Sequence, residues 1–551
     1  MKNGKQWRNQ RELLTGNRLE IMKTFSKKLF SKLIIVLTIG ILSACSQEKD
    51  SMGEINSGEA RLKVSLETVL DNEDAILVGN GAKSAIATSN ALNGVVSLTE
   101  SMQVEYSLDQ TNNQKLPQLI KTANAAPEIK AAINRKTLIK GTYYALLVYD
   151  EQENYVEERL YNYGSESNLP PLLLNAGKAY TFVAFSINTS NSLPTVLDKA
   201  KLSTLKLSKV SGDLMIFKKK LTLTYGENLL SVVLKHRYSS ITTQLSVDAN
   251  TVGAFQVLTN AAISPVYESA NYDFAQDAFE YVTVKTGGCP VTFPSFQTGQ
   301  RTVTSNPSIM ISPLTNTASL NFGIISIDDE TKKNLVIPNV KITPGVSYTL
   351  KLNFKTCTQP VGQVEGLDWR YPAATWLGKL GIWKDGVFYS AGSTITRNIT
   401  APGADYGFVF DITELDNAFN MELNGVKLAQ KEIQFERGAA SPQNIRFKDQ
   451  SMYQGVNTET GGNIDAVYNM KGTSTAPLVK VVIGKNGEVR LFGSKVSGGP
   501  LYELELFGNA FNTFKWNTPG QGVNSIKVTQ LVDGRTILVG TGSGKKKVAC
   551  S

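Results

Sequence analysis

In the stretch Thr142-Tyr-Tyr-Ala-Leu-Leu-Val-Tyr149 β-branched and aromatic side chains fill most positions, and the same holds for Tyr180-Thr-Phe-Val-Ala-Phe185. Such side chains fit a pleated, packed surface better than a helix, so both stretches read as strands. Working outward, Leu221–Tyr225, Leu229–Leu234 and Ile241–Val247 come next, the last alternating polar and apolar. Five dipeptides carry the chemistry of two-residue hairpin turns, in which both residues need positive φ: Asn80-Gly81, Asp385-Gly386, Asn424-Gly425, Asn486-Gly487 and Asp533-Gly534. Four of the five lie beyond residue 380, which predicts that tight hairpins concentrate there. The one helix-like stretch, Leu116–Asn134, is interrupted by Pro127 and reads as a loop with a helical turn. The chain is therefore expected to be all-β, built of sandwich-like units.

Its 551 residues suffice for two to four domains, and 41% hydrophobic against 19% charged residues is the balance of a core-forming protein. A single histidine, His236, removes much of enzyme chemistry: Ser–His–Asp triads and Cys–His dyads each need a His, and most metal sites need several. No hydrolase motif stands out. Gly540-Thr-Gly-Ser-Gly-Lys545 is one spacer short of a phosphate loop and has no helix after it. The expectation is a protein that is not an enzyme, with His236 structural.

The net charge of +9 is concentrated at one end. Residues 1–44 carry nine basic side chains against Glu12 and Glu20, a net of +7 that leaves +2 for the rest. Nucleic-acid binding thus has no electrostatic support. Within that segment, Lys23, Lys27, Lys28 and Lys32 precede a largely apolar run, Leu33–Leu42, and then Leu42-Ser43-Ala44-Cys45. A basic flank and a short apolar core ending in small residues form a signal peptide, and the ending looks like a bacterial lipobox with Cys45 as the lipidated residue. Residues 1–21 lie too far upstream for an n-region and read as a mis-called start, with 22–44 the signal peptide and 45–58 a polar tether. Acyl chains such as palmitate on Cys45 would hold the chain stably to the outer membrane.

From Cys45 to Gln363 there is no Trp, after which Trp369, Trp376, Trp383 and Trp516 appear. The segment Thr356–Gly366 reads as a linker, and a weaker break lies near residue 200. These breaks divide the mature chain into 59–200, 201–360 and 361–551.

Three motifs carry a resemblance. Ala176-Gly-Lys-Ala-Tyr-Thr-Phe-Val-Ala-Phe-Ser186, Leu234-Lys-His-Arg-Tyr-Ser-Ser-Ile241 and Val340-Lys-Ile-Thr-Pro-Gly-Val-Ser-Tyr-Thr-Leu-Lys-Leu-Asn-Phe354 resemble the fimbrillin-like surface lipoproteins of Bacteroidetes. The resemblance covers roughly residues 59–357 and implies two β-sandwich domains behind a lipobox. The acid-containing tether after Cys45 likewise resembles the surface-export signal of such lipoproteins. Pilus-forming members assemble by strand exchange, which uses an open sheet edge. This chain departs from the shaft subunits: about 190 residues follow the second sandwich, and Arg61 is the only nearby candidate for a processing site. The resemblance implies a surface-exposed adhesin or a fimbrial accessory or tip subunit, with other fimbrial subunits or host and environmental glycans as partners. The alternative is a lipoprotein that captures polysaccharide. For that role Gly403–Gly425 in the third region looks like a hairpin of jelly-roll carbohydrate-binding modules.

Side-chain chemistry singles out candidate ligand-binding residues. Asp411, Asp416 and Asn417 offer oxygens for Ca²⁺ or for sugar hydroxyls, against the plainer reading that Asp416-Asn417 caps a turn. Trp369, Trp376 and Trp383 are either core or stacking faces for sugar rings, with Trp383 the best exposed candidate because it precedes the Asp385-Gly386 turn. No metal site and no cofactor are otherwise expected. Of the cysteines other than Cys45, Cys289 and Cys357 fall in one sandwich and are the expected disulfide, leaving Cys550 over.

Overall fold

The computed structural model describes residues 58–71, 92–111, 138–403, 406–435, 442–454, 464–508 and 510–551. The readings of the signal peptide, Cys45 and the tether, of Asn80-Gly81 and of 116–134 lie outside them. Among the described residues there are strands and short 3₁₀ turns but no α-helix. The chain is all-β.

The apolar stretches 142–149 and 180–185 lie side by side in a seven-stranded sheet. Its order is Tyr155–Asn162, Tyr143–Tyr149, Ala179–Ser186, Met215–Thr222, Gly226–His236, Glu59–Leu70 and Leu172–Asn175. Successive side chains of a strand face opposite ways, so the near-continuous apolar run Tyr143–Tyr149 needs cover on both sides. It has it. Tyr144, Leu146 and Val148 join Phe182, Ala184, Leu62 and Leu230 in one core. Ala145, Leu147 and Tyr149 join Val183, Phe185, Leu207 and Tyr272 in another, under a four-stranded sheet of Ala278–Val284, Tyr267–Asp273, Lys206–Val210 and Thr195–Leu197. Glu59–Leu70 alternates buried and exposed residues, pairs in parallel with Gly226–His236, and carries Arg61 on its exposed face in an ion pair with Glu59.

The second sandwich sets the sheet Thr302–Thr304, Ser239–Val247, Ser347–Thr356, Met102–Gln110 and Leu92–Ser97 against one built on Ala318–Ile327. Their inner faces share Met102, Val104, Leu245, Phe255, Phe322, Leu350 and Phe354. The division expected at residue 200 is therefore crossed both ways. Strands from 92–110 sit beside Ser347–Thr356, whereas strands from 267–284 complete the cover of the first sheet. Backbone pairing is indifferent to sequence distance, so a composition break does not mark it.

The third sandwich begins without a linker. Thr356–Gly366 was expected to be one, but Thr358–Tyr371 is a strand along Thr536–Lys547, with a register shift between Val361 and Glu365. Gly362 stands inside that shift at positive φ, a backbone conformation disfavoured for other residues. The strand's sheet continues through Gly407–Leu415, Val479–Ile483, Val489–Ser494 and Leu501–Leu506. A second sheet of Thr394–Ala401, Asn524–Leu531 and Ala418–Leu423 packs on it over Phe408, Phe410, Phe419, Ile526 and Leu538. Asp385-Gly386 and Asn424-Gly425 form two-residue hairpins with both φ positive, as expected.

Candidate functional site

The tryptophans separate into two kinds. Trp369 and Trp516 are core residues of the third sandwich. Trp376 and Trp383 belong to a small meander, Ala374–Trp376, Lys379–Lys384 and Val387–Ser390, in which both connections are tight turns: Leu377-Gly378 and Asp385-Gly386. Register decides which way each side chain points. Trp376 pairs with Lys379, and Trp383 pairs with Phe388, which places Trp376, Gly381, Trp383 and Phe388 on one face. Ile382 and Tyr389 on the other face anchor the meander to the core of the module.

On the outer face the ring centroids of Trp376, Trp383 and Phe388 lie 5.3–5.7 Å apart at steep interplanar angles, the edge-to-face geometry aromatic rings prefer. Gly381 makes room for this: a Cβ there would sit 2.8 Å from Phe388 Cζ and 2.1 Å from the Tyr389 carbonyl oxygen. Even so packed, Trp376 and Trp383 remain 49% and 45% exposed, and Leu377 in the turn after Trp376 is exposed too, whereas Leu380 and Val387 fall by register on the face of Ile382. Aromatic rings packed together yet held open to water mark a candidate interaction surface.

The oxygen-ligand candidates do not gather. Asp416 is buried, and its carboxylate accepts hydrogen bonds from the backbone N–H of Asn417, the Gln530 side-chain amide at 2.7 Å and the Ile537 N–H at 2.8 Å. Burial pushes its pKa up to about 6, against the pull of those donors. Asp416-Asn417 is thus the turn cap of the plainer reading, with donors where a cation or sugar would have to enter. Asp411 lies on the opposite-facing part of the strand Gly407–Leu415, paired with Lys480 at 2.8 Å. The calcium arrangement is not formed by these three residues, and among the described residues no cluster of His, Cys, Asp and Glu is set to hold a metal ion. His236 Nδ1 lies 2.8 Å from Asp213, buried in its strand.

The expected disulfide is corrected. Cys357 bonds Cys550, and Cys289 is free. The reason is the course of the last strand. Thr536–Lys547 runs back along Thr358–Tyr371, so the residues after it arrive beside Cys357. There Cys357 N–H donates to Ser101, Cys550 N–H to Glu100 and Val548 N–H to Cys357. A pairing set by three-dimensional return is not visible in sequence spacing.

Charged groups hold the same junction. Arg301 is buried and donates to the carbonyls of Thr251 (2.8 Å), Val252 (3.2 Å), Gly253, Val247 (3.3 Å) and Asp248 (2.8 Å), with its guanidinium over the Phe492 ring. Burial pulls its pKa down to about 10, so it stays charged at neutral pH. Glu503 of the third sandwich receives Arg301 at 3.6 Å and Arg490 and Lys448 at 2.9 Å. Burial alone would raise the Glu503 pKa, but these cations outweigh it and hold it below the usual range. Lys547 reaches Asp328 at 3.3 Å and Glu330 at 2.9 Å, and Ser101 donates to Glu330 at 2.7 Å. None of these partners was singled out from sequence, because charges far apart in the chain leave no local pattern.

No family model matches the chain, and no curated protein matches it. Among solved structures it is similar to a "putative cell adhesion protein" of Bacteroides fragilis, at 13% identity and a TM-score of 0.29, over 44% of this chain and 93% of that one. It is also similar to a fimbrial assembly protein of Parabacteroides distasonis, at 14% identity and a TM-score of 0.25, over 38% and 83%. A third is a "putative polysaccharide binding" protein of Bacteroides thetaiotaomicron, at 10% identity and a TM-score of 0.26, over 46% and 90%.

Proposed function

We propose that the chain is a cell-surface adhesin, anchored through Cys45 to the outer membrane, that makes contact through the aromatic face of the 374–390 meander. The observation that carries the contact is the trio Trp376, Trp383 and Phe388, packed against one another yet left open to water. Two half-exposed indoles keep apolar area in solvent that folding would otherwise remove, and a binding partner supplies the missing cover. The motifs resembling fimbrillin-like lipoproteins, the lipobox and the acid-containing tether after Cys45 support display outside the cell. A role in binding rather than catalysis agrees with the lone His236, held to Asp213 in a strand.

The flat, rigid indole faces favour sugar rings as the ligand. Adhesion to glycans and capture of polysaccharide then use the same face and differ only in the fate of the bound sugar. The test uses the lipid-free mature chain and variants Trp383→Ala and Trp376→Ala on a glycan array and in adhesion of coated beads to glycan-bearing surfaces. Binding of defined neutral sugars, lost in both variants, supports the reading. Absence of glycan binding, or binding unchanged in both variants, overturns it. Palmitate labelling lost in Cys45→Ser tests the anchor.

A further inference from the structure

Between the second and third sandwiches lies an open cleft of about 1120 Å³. One wall is the outward face of the strand Ser347–Thr356 and its neighbours, bearing Asn353, Lys355, Gln103 and Thr302. The other is the outward face of the third sandwich, bearing Asp411, Lys480 and Lys545. Alternation fixes this second set. Phe408, Phe410 and Ile412 face the core, so the intervening residues face out, and Asp411 is registered directly against Lys480 on the neighbouring strand.

The cleft is lined by three carboxylates, Asp248, Asp411 and Glu503, and four cations, Arg301, Lys355, Lys480 and Lys545, which do not pair off one to one. Arg301 is matched by Glu503, and Lys355 lies 3.6 Å from Glu105. Lys480, buried, is held by Asp411 at 2.8 Å and by the Asn250 side-chain oxygen at 3.0 Å. Lys545 is left over: among the described residues no carboxylate lies within ion-pair distance of it, and Asp411, its nearest countercharge, is already spent on Lys480. Burial holds the Lys545 pKa below the usual lysine value, Asp411 opposing and Lys480 adding to the shift. An ammonium taken partly out of water without a partner is costly, and an anion at that point would offset the cost. The groups beside it, the amides of Asn353 and Gln103 and the hydroxyl of Thr302, are those that pair with sugar hydroxyls.

The geometry points to this cleft as a binding site for an acidic oligosaccharide, whose uronate or sialate carboxylate sits on Lys545 while its hydroxyls meet Asn353, Gln103 and Thr302. The site is separate from the aromatic face and does not depend on it.

Calorimetric titration of the lipid-free mature chain tests it with three probes, a short oligogalacturonate, a hyaluronan fragment and sialyllactose, each beside its carboxyl methyl ester. At least one acid should bind, at least about tenfold tighter than its ester, since the ester keeps the shape and loses the charge-assisted contact. Lys545→Gln should weaken that binding about tenfold and abolish the preference for acid over ester. Asn353→Ala should weaken acid and ester alike, and Trp383→Ala should change neither. Raising the salt should weaken the acid only. Failure of all three acids to bind, equal binding of acids and esters, or an unaltered preference in Lys545→Gln overturns the assignment. So does binding of an acidic peptide with none of the sugars. Loss of glycan-array binding in Trp383→Ala bears on the aromatic face alone, so the two readings fail separately.

Discussion

Between the first and second sandwiches the chain crosses back and forth. Strands 59–70, 143–236 and 267–284 belong to one body, whereas 92–110, 239–264 and 289–356 belong to the other. Between the second and third, among the described residues, the backbone crosses at Thr356–Thr358, and the Cys357–Cys550 disulfide ties the end of the chain back to that crossing. The first pair is joined by interleaved backbone and by strands buried on both faces. The second is joined by an appended module, a small apolar contact of Val252, Tyr406, Val409, Val482 and Phe492, and buried charges. Interleaving makes the first two sandwiches one cooperative unit, because neither can lose its strands without opening the other. The third should behave as a separable one.

The sharpest way to break this contrast is at Phe185, fully buried between the first sheet and the sheet contributed by 206–210 and 267–273. Phe185→Ala is expected to cost about 4 kcal/mol, by loss of transferred area plus a cavity. The transition that falls should carry both of the first two sandwiches together. Calorimetry that shows the second melting at its original temperature would break the interleaving argument.

The staple comes next. Cys357→Ser with Cys550→Ser removes a crosslink over 193 residues, and loss of a native disulfide typically costs about 3 kcal/mol. The loss should fall on the third sandwich and leave the unit of the first two unchanged. Equal losses in both units, tracked by hydrogen exchange, would mean that the third module is not separable.

Within the third sandwich, Asp416 adds a pH term of its own. Its folded pKa of about 6 lies above the ordinary carboxyl value of 3.8, so between those values the folded state binds the proton more tightly. Its contribution therefore becomes more favourable as pH falls through that window and is least favourable above it. Against Asp416→Asn, wild type should gain of the order of 2 kcal/mol between roughly pH 7 and pH 4, in the third-sandwich transition only. A constant difference across that range would remove the buried carboxyl from the account.

How much of this could be read in the sequence depends on the range of the interaction. Strand runs such as 142–149 are local, because β-branched and aromatic side chains declare the pleated surface they fit, and Asp385-Gly386 and Asn424-Gly425 declare their turns through positive φ. Turns using less usual residues escaped. Leu377-Gly378 and Asp328-Asp329 adopt the same two-residue geometry, and without the first of these Trp376 has no visible reason to meet Trp383. Trp383 itself was legible from its distance to a turn, but its neighbour Phe388 emerges only once the register is known. The interleaved strands, the Cys550 partner and the unpaired Lys545 were not legible, since each depends on contacts between residues far apart in the chain, such as Val210 with Ala270 and Cys357 with Cys550. Asp416 and Asn417 matched a ligand pattern that is equally the pattern of a turn cap, and burial decided between the two.

The smallest effect on stability should come from the residue with the largest proposed effect on binding. Trp383 is nearly half exposed and touches Trp376 and Phe388 on the outside of a meander that Ile382 and Tyr389 hold from within. Trp383→Ala removes two ring contacts and some covered area but leaves the anchoring face intact. It should therefore cost no more than about 1 kcal/mol, in the third-sandwich transition. The partners it leaves behind, Trp376 and Phe388, would each gain exposure, so the variant should fold yet show a shifted tryptophan fluorescence. If the ring were there for stability, Trp383→Ala would unfold the meander, the loss would approach that of a core aromatic, and Ile382 would become exposed to exchange and proteolysis. If it is there for contact, stability hardly moves while glycan binding disappears, and Trp383→Phe, which keeps a smaller flat face, restores part of it.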